Sequence, residues 1–142
     1  MAFHKITLAA LKILSHSSPD IKKTYKIHRQ LVTLAHKKVI KSPYYKIWNH
    51  KITRDGYDIA VRIFSPPNDF PHPVLLFFHG GGWVTGNIES YDSVCANMAI
   101  MTDHIVVSVD YRLAPEYPFP TALEDCYCEA KEKYIDEKLK KK

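Results

Sequence analysis

Val74-Leu75-Leu76-Phe77-Phe78-His79-Gly80-Gly81-Gly82-Trp83 runs from five apolar residues straight into three glycines. An apolar run without polar alternation is the pattern of a strand covered on both faces of a mainly parallel sheet. Glycines that follow such a strand let main-chain N–H groups approach a ligand closely and point inward, as a developing oxyanion requires. Bound phosphate is the rival use of such a turn. It calls for Gly-Lys-Ser/Thr or for Gly-x-Gly-x-x-Gly with an acid further on, and Gly80-Gly81-Gly82-Trp83-Val84-Thr85-Gly86 supplies neither.

Working downstream, Ser90 to Thr102 reads as a helix with Val94, Cys95, Met98 and Ala99 inward, and His104 to Asp110 as a second continuously buried strand. Strand, helix, strand is a βαβ unit, so the fold class is α/β. The prolines at 115, 118 and 120 interrupt the chain before a last helix, predicted to begin near Pro120-Thr121 with Leu123, Tyr127, Ala130 and Tyr134 inward. Glu129 to Lys142 holds four acids and six lysines, the composition of a solvated helical end.

Upstream, Ile47 to Thr53 and Tyr57 to Phe64 flank Arg54-Asp55-Gly56, a hairpin signal that pairs the two strands antiparallel. Before them Ser18-Pro19-Asp20 is a helix start, with a serine cap, proline at the first helical position and an acid in the first turn. The helix is expected to run to about Ile40, buried along Tyr25, His28, Leu31, Val32, Ala35 and Val39, and to end at Ser42-Pro43.

With 142 residues, 46% of them hydrophobic and 25% charged, the chain matches a soluble globular protein, and no apolar stretch is long enough to span a membrane. Lys12 interrupts the apolar start and no small-residue cleavage site follows, so the expectation is a cytoplasmic protein without a secretory signal. Residues 1–54 hold 12 Lys and Arg against the single acid Asp20, while residues 55–142 hold 8 against 14. The front lysines are scattered at helical spacing, as on a solvated face, and no aromatic-and-basic nucleic-acid motif accompanies them. Cys95, Cys126 and Cys128 form an odd set that suits neither a disulfide framework nor a metal site.

A second block sharpens the reading: Ser108-Val109-Asp110-Tyr111-Arg112-Leu113-Ala114-Pro115-Glu116, followed by Pro118-Phe119-Pro120 and Ala122-Leu123-Glu124-Asp125-Cys126. Together with His79-Gly80-Gly81-Gly82-Trp83, it resembles the hormone-sensitive lipase family of α/β-hydrolases, esterases and lipases with an HGGG-type motif. The likeness spans about Ile47 to Tyr127. It implies a helical cap segment over 1–45 and a partial α/β-hydrolase domain over 46–142. It implies ester hydrolysis of small acyl substrates without cofactor or metal, with the N–H groups of Gly81 and Gly82 as oxyanion donors.

By the same likeness His79, Gly80 and Trp83 support the motif. His79 holds the glycine loop in shape, and the catalytic base is expected later in the chain, after the nucleophile. Trp83 packs against the loop or lines the acyl pocket. Asp110, Arg112 and Glu116 are expected to form a structural ion-pair network behind the site, with the arginine serving several acceptors where prolines leave few donors.

The chain departs from the family's pattern: no Gly-x-Ser-x-Gly occurs in it, and the acid and histidine that the family supplies from later loops are expected to be absent with the nucleophile. The likeness therefore implies an N-terminal part of the fold, truncated before the nucleophile elbow and inactive alone, with an exposed apolar sheet edge beside Val74 to Phe78. That edge would suit a complementing C-terminal chain, as in a split esterase, or self-association. The reading from a different class is a non-catalytic interaction module that holds a partner through this edge or through the basic front helix.

Overall fold

The computed structural model describes residues 20–36, 46–54 and 56–131. Its elements in chain order are α1 (Ile21–His36), β1 (Lys46–Arg54), β2 (Tyr57–Ser65), β3 (Val74–Phe78), a 3₁₀ turn (Glu89–Tyr91), α2 (Asp92–Thr102), β4 (Ile105–Asp110) and α3 (Thr121–Lys131). The expected helix start at Ser18-Pro19, the stretch through Val39 and Ile40 to Ser42-Pro43, and Tyr134 with the charged end lie outside the described residues.

The four strands form one sheet in the order β1-β2-β4-β3. β1 and β2 are the expected hairpin, with Arg54 opposite Tyr57 and Gly56 at φ +90° in the turn. β2 runs antiparallel to β4, and β3 runs parallel to β4 with Phe78 opposite Val109. β3, α2 and β4 are the βαβ unit read from the sequence.

Among the described residues, each sheet face is covered by one helix. Phe64 and Val106 pack under Cys95, Ala96 and Ala99 of α2, whereas Ile59, Val61, Ile63, Val107 and Val109 pack under Ala122 and Cys126 of α3. Strand alternation sends successive residues of β2 and β4 into these two cores, which is why β4 is buried from Val106 through Val109.

Four expectations change. β3 is half-buried throughout, because it is the outer strand of the sheet and, among the described residues, only β4 flanks it. In α2, Val94 is 45% exposed and Ala96 is buried in its stead. In α3, Leu123 and Tyr127 face outward and Ala130 is exposed, while Ala122, Asp125, Cys126 and Glu129 turn inward. In α1, His28 is exposed and Leu31 is 58% exposed, and the face turned to the protein carries Tyr25, Arg29 and Thr33 at four-residue steps. Polar side chains with distant partners set the rotation of α1 and α3, overriding apolar periodicity.

Candidate active site

The loops after β3 and β4 leave the same end of the sheet, because the two strands are parallel and adjacent. Ligands of open α/β sheets bind outside such carboxyl ends. The glycine loop follows β3 and the Asp110-to-Pro120 segment follows β4. α1 lies against both: Arg29 Nε donates to Val84 O at 2.7 Å and Arg29 NH2 to Ala114 O at 2.8 Å.

His79 is 3% exposed and serves as the hub of the loop. Its ring stacks on Tyr111 with centroids 4.3 Å apart, and Tyr91 flanks the imidazole at 5.9 Å. Nδ1 lies 2.9 Å from Gly80 O, an acceptor only, so Nδ1 carries the proton and Nε2 does not. Tyr111 donates its hydroxyl to His79 O. Burial lowers the His79 pKa below the ordinary imidazole value, against smaller opposing effects from Gly80 O and Asp110, so the ring is neutral near pH 7. Neither ring nitrogen bonds a serine or a carboxylate among the described residues.

The glycine run then turns sharply. Gly81 O accepts the N–H groups of Val84 and Thr85, at 3.2 and 3.0 Å, and the Thr85 hydroxyl at 3.0 Å. Carbonyl and N–H of one trans peptide point in opposite directions, so turning Gly81 O inward turns the Gly82 N–H outward. Among the described residues neither the Gly81 nor the Gly82 N–H meets an acceptor, and both residues are exposed. Gly81 has φ +130°, and a β-carbon there would lie 2.0 Å from Thr85 O. Only glycine fits.

Gly86, which sequence reading passed over, closes the loop. A β-carbon on it would lie 2.5 Å from Gly80 O and 2.7 Å from His79 Nδ1. Its signal was present, as a fourth glycine close behind the run. Trp83 has the left-handed φ of 63°, accepts Ala114 N–H at 2.9 Å through its carbonyl, and tilts its half-exposed ring against Tyr111 at 5.2 Å. It packs on the loop from outside.

Asp110, Arg112 and Glu116 do not pair with one another. Arg112 forks onto Asp125 of α3 at 3.0 and 2.8 Å, and its own N–H adds a third bond to that carboxylate. Asp125 is fully buried, and Tyr57 stacks under the guanidinium at 3.7 Å. The carboxylate raises the Arg112 pKa further. Glu116 binds Arg29 through both oxygens at 3.0 Å, which holds its carboxyl below the usual range. Asp110 accepts Ile88 N–H at 3.4 Å; much of it is open to solvent, yet the protein around its carboxyl raises its pKa. The expected single network is three separate links, because Arg112 points across the sheet toward α3. The arginine that serves several acceptors in the proline-rich turn is Arg29.

Burial pushes Cys95 and Cys126 up to about 11, which removes the thiolate a nucleophile needs. Among the described residues no group of three or more His, Cys, Asp or Glu could hold a metal ion. A shallow cleft of about 540 Å³ beside Lys51, Arg62, Glu89 and Asp110 does not include the glycine loop.

Residues 75–138 match the family of the α/β hydrolase fold. Over 101 residues the chain is 39% identical to an arylesterase of Saccharolobus solfataricus, covering 71% of this chain and 33% of that protein. The chain has part of the α/β-hydrolase fold that these esterases share. This α/β-hydrolase chain is also 50% identical over 72 residues to esterase LipI of Mycobacterium tuberculosis, which covers 49% of it and 22% of LipI. Among solved structures, the metagenomic carboxylesterase EstE1 superposes with a TM-score of 0.75 at 33% identity, over 87% of this chain and 42% of that one. The chain spans a third or less of the curated relatives just named. No helix among the described residues is long and apolar enough to cross a membrane.

Proposed function

We propose that this α/β-hydrolase chain carries the oxyanion-stabilising part of a carboxylic-ester hydrolase acting on small acyl esters. In this reading the N–H groups of Gly81 and Gly82 receive the substrate's carbonyl oxygen as it gains negative charge. His79, Gly80, Gly86 and Tyr111 keep the loop in the shape that exposes them. Each such donor contributes about 3 to 4 kcal/mol to the transition state, or roughly 10² to 10³ in rate. The observation that carries the reading is the inward lock of Gly81 O, which turns the Gly82 N–H outward at the carboxyl end of β3, where neither it nor the Gly81 N–H meets an acceptor among the described residues.

The nucleophilic serine, its acid and its histidine come from outside these 142 residues, since no Gly-x-Ser-x-Gly occurs among them. The outer edge of β3 is the side on which further sheet would pair; left open, the same edge supports self-association. Three unpaired cysteines suit a reducing, cytoplasmic setting.

The test uses the purified 142-residue chain with short-chain nitrophenyl esters and a fluorophosphonate probe. No serine-dependent turnover and no covalent label are expected. Stoichiometric labelling of a serine in this chain would overturn the division of labour.

A further inference from the structure

α1 touches the glycine loop through one side chain with an unusual number of partners. Arg29 uses all three guanidinium nitrogens: Nε binds Val84 O, NH2 binds Ala114 O and Glu116 Oε2, and NH1 binds Glu116 Oε1, with distances of 2.7 to 3.0 Å. The acceptors lie 55 to 87 residues away in sequence and belong to both loops of the site. Tyr25, one turn earlier, lies under the guanidinium at 4.9 Å. One turn later Thr33 receives Asn87 Nδ2 at 3.1 Å, and Asn87 in turn accepts the N–H and hydroxyl of Ser90.

The link to the donors is short and runs through two hydrogen bonds. Val84 offers its carbonyl to Arg29 and its N–H to Gly81 O. Fixing Val84 therefore fixes the Gly81 carbonyl, and through the planar peptide it fixes the direction of the Gly82 N–H. The Ala114 carbonyl held by the same guanidinium belongs to the residue whose N–H binds Trp83 O, so the loop is gripped from both sides.

We propose that Arg29 is a positioning residue, which couples the docking of α1 to the orientation of the Gly82 N–H donor. The proposal deepens the oxyanion reading and rests on it for its functional meaning, while the coupling itself is testable without turnover. A rigid planar fork is needed, since one centre must reach four acceptor atoms on three residues in fixed directions; a lysine ammonium is a point charge on a flexible stem and reproduces only part of this. α1 thereby acts as a strap over the site, and its undocking loosens the donors.

The test is amide NMR on the ¹⁵N-labelled full chain, comparing Arg29→Lys, Arg29→Ala and Thr33→Val, with Ile59 and Val61 amides reporting that the sheet remains folded. Thr33→Val removes the Asn87 contact of α1 without touching a loop carbonyl. Both Arg29 variants are expected to move the Gly81, Gly82 and Thr85 resonances and to speed exchange at Val84 and Thr85 by roughly tenfold or more. Thr33→Val should leave those resonances in place. Loop resonances unmoved in a folded Arg29→Ala protein, or moved equally by Thr33→Val, overturn the proposal. Failure of the oxyanion reading would be seen separately, in turnover, which these spectra do not use.

Discussion

Tyr111 grips His79 twice, stacking on its imidazole at 4.3 Å between centroids and donating its hydroxyl to the His79 main-chain oxygen. One residue at the start of the loop after β4 thus fixes the first residue of the loop after β3. The pair is buried, so the bond has no water to replace it.

Tyr111→Phe keeps the stacking and leaves the His79 carbonyl without its donor. Urea unfolding should show a loss of about 1 to 3 kcal/mol, the cost of an unsatisfied buried polar group. A loss below about 0.5 kcal/mol would mean that the hydroxyl contributes little to the loop.

The glycines should differ sharply when each is replaced by alanine. A β-carbon on Gly82 meets nothing within 4 Å, so Gly82→Ala costs only the left-handed backbone penalty of about 1 to 2 kcal/mol. Gly81→Ala drives a methyl group into Thr85 O and must cost clearly more, because the turn itself has to open. Equal losses in thermal unfolding would contradict this geometry.

His79 makes stability depend on pH in a defined direction. Its folded pKa lies below the ordinary imidazole value of 6.5, chiefly through burial. The unfolded chain therefore takes up a proton first as pH falls below about 6.5, and stability declines from there toward the depressed folded pKa. Urea unfolding at a series of pH values should show this decline in the wild type and a shallower one in His79→Gln. An unchanged slope in the variant would assign the titration to another group.

Arg112 and Asp125 form the ion pair that locks α3 to the loop after β4. Arg112→Ala strands a fully buried carboxylate and should cost about 3 to 5 kcal/mol. Exchanging both partners for apolar residues should cost much less, since a buried pair is partly offset by its own desolvation. A double variant as unstable as Arg112→Ala alone would remove stranded charge as the cause.

The parts of this fold that were legible in the sequence are those ruled by apolar burial and turn chemistry. The continuous runs of β3 and β4, the Asp-Gly hairpin and the glycine run needed no partner to be recognised. The inward faces of α1 and α3 were missed for a shared reason. Leu31, Leu123 and Tyr127 sit at core spacing but remain exposed, because Arg29 and Asp125 find charged or carbonyl partners far along the chain. Periodicity registers transfer from water and is blind to such pairings. Tyr111 stood inside a quoted motif, but nothing local could reveal that its hydroxyl reaches His79.

The role given to Gly81 and Gly82 is tested most directly in an enzyme that holds a nucleophile. The matching segment of this chain would replace its counterpart in the Saccharolobus solfataricus arylesterase, to which it is 39% identical over 101 residues. Turnover of a short-chain nitrophenyl ester would then be compared between the folded chimera and its Gly81→Ala variant. An active chimera is expected whose kcat falls by about 10² to 10³ in the variant, because the β-carbon forces the turn open and misaims an oxyanion donor. An active, folded chimera whose kcat is indifferent to Gly81→Ala would contradict that role.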